Sequence, residues 1–209
     1  MHQGYVVVVP VKPPARGKSR LLGLTDERRR DLAAALALDT IGACLAATQV
    51  AQVLVATDDA SFSSDLLALG CSAIPDGDTT DLNSALRQAA AEARRRWPEL
   101  VAVAVCADLP ALRPTELDAA LVQITLDGPC FVADADGIGT TMYAAAYDAF
   151  CPRFGAASRA SHLQAGATEI GAGLLSLRRD VDDLDALRDA ASLGLGPRTT
   201  ELVAILGLS

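Results

Sequence analysis

Histidine is nearly absent from this chain: His2 and His162 are the only two in 209 residues. The five cysteines, Cys44, Cys71, Cys106, Cys130 and Cys151, are odd in number, widely spaced and never arranged as CxxC. These scarcities argue against a structural zinc site or a disulfide framework, and leave buried thiols in a reducing compartment. Aromatic residues are 4% of the chain, so the 51% that is hydrophobic consists mostly of Ala, Val and Leu. That is still ample for a packed core and excludes a disordered chain. Positive charge is also short, with 18 Lys plus Arg against 26 Asp plus Glu and a net charge of −8. Such a balance argues against nucleic acid or an anionic membrane as partner, although an anionic small molecule needs only local cations or a bound metal. No apolar run approaches a membrane span and the first residues carry no signal-peptide pattern, so a soluble, cytoplasmic protein is expected. The length fits one domain.

What is present is an alternation of short apolar runs and helical patterns. A β-branched run at 5–11 reads as a strand buried on both faces, followed by an irregular cationic stretch at 12–24. Thr25 reads as an N-cap, with Asp26 and Glu27 in the first turn of an Ala/Leu-rich helix reaching about residue 48. Strands at 52–56 and 71–74 flank a short helix at 61–69 closed by Gly70. In the helix at 81–97, Leu82, Leu86, Ala89, Ala93 and Trp97 share one face, and Pro98 stops it. A strand at 101–106 leads into Ala107-Asp108-Leu109-Pro110, and Pro114 opens a helix to about residue 125. The second half is looser. Strands are expected at 131–133, 142–146 and 174–177, helices at 158–164, 183–192 and 197–206, and a Gly-rich loop at 136–141. Strands separated by helices imply right-handed crossovers and an α/β fold, a single domain with a mostly parallel sheet and helices on both faces.

In open α/β sheets the ligand lies beyond the carboxyl ends of the strands. Lys12, Arg16, Lys18 and Arg20 follow the first strand, with Gly17 among them. Such a loop embraces phosphates by charge and backbone N–H groups; a solvated basic loop is the alternative. It matches neither GxGxxG nor the P-loop pattern. Asp108 comes directly after the strand at 101–106, where a carboxylate commonly holds Mg²⁺ or simply forms a turn before Pro. Asp180 and Asp182 stand two apart, so in extended chain they face one side; with Asp183 and Asp185 they would equally make an acidic helix start. Gly137, Gly139 and Thr140 form a loop where backbone can approach an anion, and Gly155 and Ser158 place a hydroxyl at a helix N-terminus; a plain turn and a plain cap are the alternatives. His162 reads as a structural hydrogen-bonding residue rather than a catalytic base.

Taken in order, seven segments carry a resemblance. They are Val9-Pro10-Val11-Lys12, Lys18-Ser19-Arg20-Leu21, Leu82-Asn83-Ser84-Ala85, Asp108-Leu109-Pro110, Gly137-Ile138-Gly139-Thr140-Thr141, Arg153-Phe154-Gly155 with Ser158 and His162, and Asp180-Val181-Asp182. Over nearly the whole chain they resemble the guanylyltransferases that make the phosphodiester precursor of the deazaflavin coenzyme F-420. The resemblance implies a nucleotidyltransferase fold related to the glycosyltransferase-A type, with a nucleotide-binding N-terminal half and an acceptor-binding C-terminal half. It implies that GMP passes from GTP to phosphoenolpyruvate or 2-phospho-L-lactate and that pyrophosphate leaves. By motif match Asp108, Asp180 and Asp182 would hold Mg²⁺, with Asp108 and Lys18 catalytic. Lys12, Lys18 and Arg20 would meet the GTP phosphates and Asn83 would lie near the nucleoside. Thr140, Gly155 and Ser158 would hold the acceptor, and the Arg153-Phe154-Gly155 segment points to phosphoenolpyruvate. The chain departs from the family at Ala107, usually Gly, and at Asp183, Leu184 and Ala186, where the family continues with Thr-Pro and an Asp before Leu. Neither departure touches a proposed ligand. A monomer or homodimer is expected, with the next enzyme of the pathway as a candidate partner. Another nucleotidyl- or sugar-transferring enzyme on the same fold, and a non-catalytic nucleotide-binding domain, stay open.

Overall fold

Consecutive β-branched residues have no polar face to turn to water, and β1 (Tyr5–Pro10) is accordingly an interior strand of the sheet. The computed structural model describes residues 4–11, 24–77 and 81–208. The other strands are β2 (Val50–Ala56), β3 (Ser72–Ile74), β4 (Val101–Val105), β5 (Cys130–Ala133), β6 (Thr140–Ala144) and β7 (Thr168–Glu169). They form one seven-stranded sheet in the order β3-β2-β1-β4-β6-β5-β7. All neighbours pair in parallel except at β6, which runs antiparallel between β4 and β5. The helices are α1 (Asp26–Ala46), α2 (Ala60–Ala68), α3 (Leu82–Arg96), α4 (Pro114–Leu121), α5 (Ser158–Gln164), α6 (Leu175–Arg178), α7 (Leu184–Leu193) and α8 (Pro197–Leu206).

Alternation along β1 sorts the core into two layers. Val7 and Val9 pack with Ile41 and Cys44 of α1, Leu66 of α2, and Leu117 and Leu121 of α4, whereas Val6 and Val8 pack with Leu86, Ala89 and Ala93 of α3. On β4 the valines face the first layer, and Ala102 and Ala104 lie under the alanine-rich face of α3. Small side chains on both surfaces let that helix sit close to the sheet without leaving a void. A third cluster joins Leu32 and Leu36 of α1 to Leu187 of α7 and Val203 of α8. There the buried Asp39 carboxylate accepts from the Arg198 and Thr199 amides at 3.2 and 2.7 Å, capping α8. Thr25 caps α1 as expected, its hydroxyl accepting from the Arg28 amide. Cys44, Cys71 and Cys130 are buried thiols. Among the described residues no helix is long and apolar enough to cross a membrane.

The expected strand at 174–177 is instead the helical turn α6. Its apolar run fits either period, and tertiary contacts decide between them. The Glu116 carboxylate on α4 accepts from the Ser176 and Leu177 amides, and the Ser176 hydroxyl accepts from the Arg113 amide. These contacts satisfy N–H groups that a free helical turn would leave open. The strand that closes this edge of the sheet is the two-residue β7, which no sequence pattern marks.

Sheet order also determines where a ligand would sit. From β1 the chain moves to β2 on one side, yet β4 lies against β1 on the other. That reversal beside β1 and β4 is where open α/β sheets hold their ligands.

Candidate active site

Asp108 follows β4 at its carboxyl end, and the turn that carries it is pinned from α1. The wholly buried Thr40 hydroxyl accepts from the Leu109 amide at 2.9 Å, 2.8 Å from the Leu36 carbonyl. The Val181 amide donates to the Asp108 carbonyl at 3.0 Å and so ties residues 180–182 to the end of β4. Val181 is fully buried in the third cluster, which turns its two neighbours, Asp180 and Asp182, to the opposite side. Both line a cleft of about 580 Å³. Asp183 lines it too, but its carboxylate caps α7 through the Ala186 amide, and Asp185 pairs with Arg188.

Burial, and then the negative charges of Asp108, Asp182 and Asp134, push the Asp180 carboxyl up to about 7. Hard carboxylate oxygens are the donors that Mg²⁺ and Mn²⁺ prefer, and a positive charge here would offset the burial and the repulsion that raise the Asp180 carboxyl. Among the described residues no three His, Cys, Asp or Glu side chains stand as a ligand set. The folded chain binds the Asp180 proton more tightly than the unfolded chain. The group therefore favours folding below the ordinary carboxylate value of 3.8, and that contribution is lost as pH rises through about 7. In chelator-treated protein, Asp180→Asn should melt with the wild type near pH 4 and exceed it by about 2–4 kcal/mol at pH 8. His162, whose pKa burial lowers to about 4, has the opposite slope between its two values but is common to both proteins. A stability difference that does not grow with pH would show that the Asp180 carboxyl is not raised in the folded chain.

The opposite wall of the cleft is built around Asp134, at the carboxyl end of β5. Its carboxylate accepts from the Ile138 amide at 2.9 Å and the Gly139 amide at 2.6 Å. A Cβ on Gly139 would collide with Asp134 Oδ2, which explains the glycine. The anion that the Gly-rich loop embraces is thus the chain's own. The loop delivers Thr140 to the cleft, where a β-bulge redirects it. The register between β5 and β6 passes from Met142 to Thr140, skipping Thr141, and this places Thr140 on the same face as Tyr143, against His162.

His162 is 1% exposed, stacked on Phe131 and Tyr143 at 5.2 and 4.9 Å and met edge-on by Phe154. Its Nδ1 lies 3.0 Å from Thr140 Oγ1, and its Nε2 accepts from the Arg153 amide at 2.9 Å. Neither nitrogen is poised to take a proton from a substrate, which bears out the structural reading of this residue. Gly155 and Ser158 line the same cleft. At Gly155 φ is +133°, a conformation that side chains resist, and an added Cβ there would meet nothing within 4 Å. The Ser158 and Arg159 amides are already bonded to the Gly155 and Ile138 carbonyls, so the start of α5 presents fewer open N–H groups than the sequence suggested.

Asn83, at the start of α3, donates to the Phe154 carbonyl at 2.9 Å and accepts from the Phe154 amide at 2.7 Å. Its amide clamps the segment leading to Gly155. Lys12, Lys18 and Arg20 lie outside the described residues. A smaller cleft of about 280 Å³ between α6 and α7 has its cations engaged. Arg178 bonds the carbonyls of Ala133, Asp134 and Ala172, and Arg179 lies 3.6 Å from both Asp136 and Asp189. Sequence reasoning missed Thr40 and Asp134. The second carried a usable signal, since it ends a strand as Asp108 does and stands just before the glycines.

A family described as guanylyl transferase, CofC-like, matches this chain over residues 5–176. The chain belongs to that family. A curated member, phosphoenolpyruvate guanylyltransferase of Thermomonospora curvata, is 48% identical over 200 residues, covering 95% of this chain and 88% of its own length. Among solved structures, a nucleotidyl transferase from Methanothermobacter thermautotrophicus superposes with a TM-score of 0.64 at 18% identity, over 91% of this chain and 97% of that one. A Mycobacterium tuberculosis protein solved as a manganese complex superposes with a TM-score of 0.55 at 19% identity, over 90% and 98%. The CofC-like chain thus has the nucleotidyltransferase fold of the glycosyltransferase-A type and is a nucleotidyltransferase.

Proposed function

We propose that this family member transfers GMP from GTP to phosphoenolpyruvate, releasing pyrophosphate, as a cytoplasmic step in coenzyme F-420 biosynthesis. The observation that carries the reading is one cleft lined on one side by Asp180 and Asp182 and on the other by Thr140, Gly155 and Ser158. In this reading the N-terminal half holds the nucleotide, with Lys12, Lys18 and Arg20 meeting the triphosphate, and the C-terminal half holds the acid. Asn83 keeps the Phe154–Gly155 backbone in place rather than reading the base. Asp108, Asp180 and Asp182 would hold a divalent cation, Mg²⁺, which when bound neutralises the charge that builds on the phosphoryl group and the leaving pyrophosphate.

The acceptor's phosphate oxygen attacks the α-phosphorus in line. An ionised phosphate needs no general base, which agrees with a histidine held neutral and engaged on both nitrogens. The chain's own contribution is positioning: Thr140 and Ser158 offer hydroxyls to the acid and Gly155 leaves room for it. Incubation with GTP and each acid, followed by mass detection of the guanylylated product, tests the reading. The expected outcome is a kcat/KM for phosphoenolpyruvate about ten- to a hundredfold above that for 2-phospho-L-lactate, since the acids differ in planarity at one carbon. A preference for phospholactate would reverse the substrate assignment; no product from either acid would sink it.

A further inference from the structure

An amide N–H can only donate, so the hydrogen bond from Arg153 to His162 requires a lone pair on Nε2. The ring is neutral, because burial, aided by the charge of Arg153, lowers its pKa to about 4 against the contact with the Ser158 backbone. A neutral imidazole then carries its proton on Nδ1, beside Thr140 Oγ1. The Thr140 hydroxyl accepts there, and its single proton is left to point elsewhere. Thr140 lines the cleft beside Gly155 and Ser158.

We propose that His162 is a positioning residue for the acceptor, fixing the Thr140 hydroxyl as a hydrogen-bond donor toward an anionic oxygen of the phosphorylated acid. The inference rests on the acceptor reading above and names how that site is oriented. Three features lock the geometry. The ring lies over the cross-strand pair Phe131 and Tyr143, Phe154 closes it edge-on, and both nitrogens are engaged. The same ring links β6 to the segment before Gly155 through Arg153, and it stands one helical turn after Ser158. A threonine free to rotate would present donor or acceptor equally; here Nδ1–H occupies one lone pair and the hydroxyl proton is turned away from the ring, which favours an anion that accepts it.

The test is steady-state kinetics with GTP and phosphoenolpyruvate on His162→Gln, His162→Asn, Thr140→Val and the double variant Thr140→Val/His162→Gln. Gln retains an acceptor for the Arg153 amide but no donor at the Nδ1 position, whereas Asn retains a donor there. His162→Gln should raise the KM for the acid by about ten- to a hundredfold, as for a lost hydrogen bond to a charged group, and leave the KM for GTP and the melting temperature near wild type. His162→Asn should restore most of the loss, and the double variant should be no worse than Thr140→Val alone. Additive losses, or a KM rise shared by GTP, would overturn the proposal. Where the variants do not fold, imidazole ¹⁵N NMR of the wild type decides: a proton on Nδ1 supports the link, a proton on Nε2 overturns it. Wild-type protein that forms no guanylylated acid fails the functional reading itself, whereas product formation with additive variants fails only the His162–Thr140 link.

Discussion

Asp108→Asn is expected to leave a folded protein whose turnover has fallen on the order of a thousandfold, the rate equivalent of about 4 kcal/mol. The substitution removes a charge and almost no volume. The contacts to Val181 and Thr40 run through the backbone of Asp108 and Leu109, so these survive the change. What would be lost, in the proposed reading, is one of the three carboxylates assigned to the cation, whose charge already reaches Asp180. Asp182→Asn should behave alike, because Asp182 is exposed to the cleft and takes no part in the core. Melting temperature and Mg²⁺-dependent kcat, measured on the same preparations, separate a lost ligand from a lost fold. A variant that keeps near-normal turnover would dissolve the cation assignment for that residue.

Gly155→Val should nearly abolish use of the acid while GTP still binds. The position has φ +133° and open space around it, so the cost arises from the backbone and from the volume placed in the cleft. A β-branched residue in that conformation is strained by about 1–3 kcal/mol, and the segment would relax by moving residues 154–158. Those residues carry Phe154 and Ser158, so the acid should lose its seat, with KM raised on the order of a hundredfold, about 3 kcal/mol. Equilibrium binding of GTP provides the control. An unchanged KM for the acid would remove this segment from the site.

The asymmetry between the two walls of the cleft explains how far each was legible. Asp108, Asp180 and Asp182 are readable because their neighbours are simple: a buried valine strand ends before the first, and a single buried Val181 separates the other two. Asn83 is not readable in this way. Its type and place at a helix start suggest a ligand, but its amide is satisfied by Phe154, a residue 71 positions away. The Gly-rich loop misleads for a related reason. Glycines that let backbone approach an anion do not say whose anion it is, and here it belongs to Asp134.

By itself the sequence determined the strands and helices whose patterns are strong, β1, β4, α1 and α3 above all, because periodicity and caps are local and act before any partner is chosen. It determined the parallel character of the first four strands, since each is followed by a chain long enough to cross over. Only the tertiary structure decided that residues 174–177 coil into α6, that β6 inserts antiparallel between β4 and β5, and that a bulge turns Thr140 toward His162. Each of these depends on a contact between distant parts of the chain: Glu116 with Ser176, Val103 with Ala144, Thr140 with His162. Short apolar runs are compatible with more than one backbone, so the partner that satisfies their amides and buries their side chains selects the one that forms.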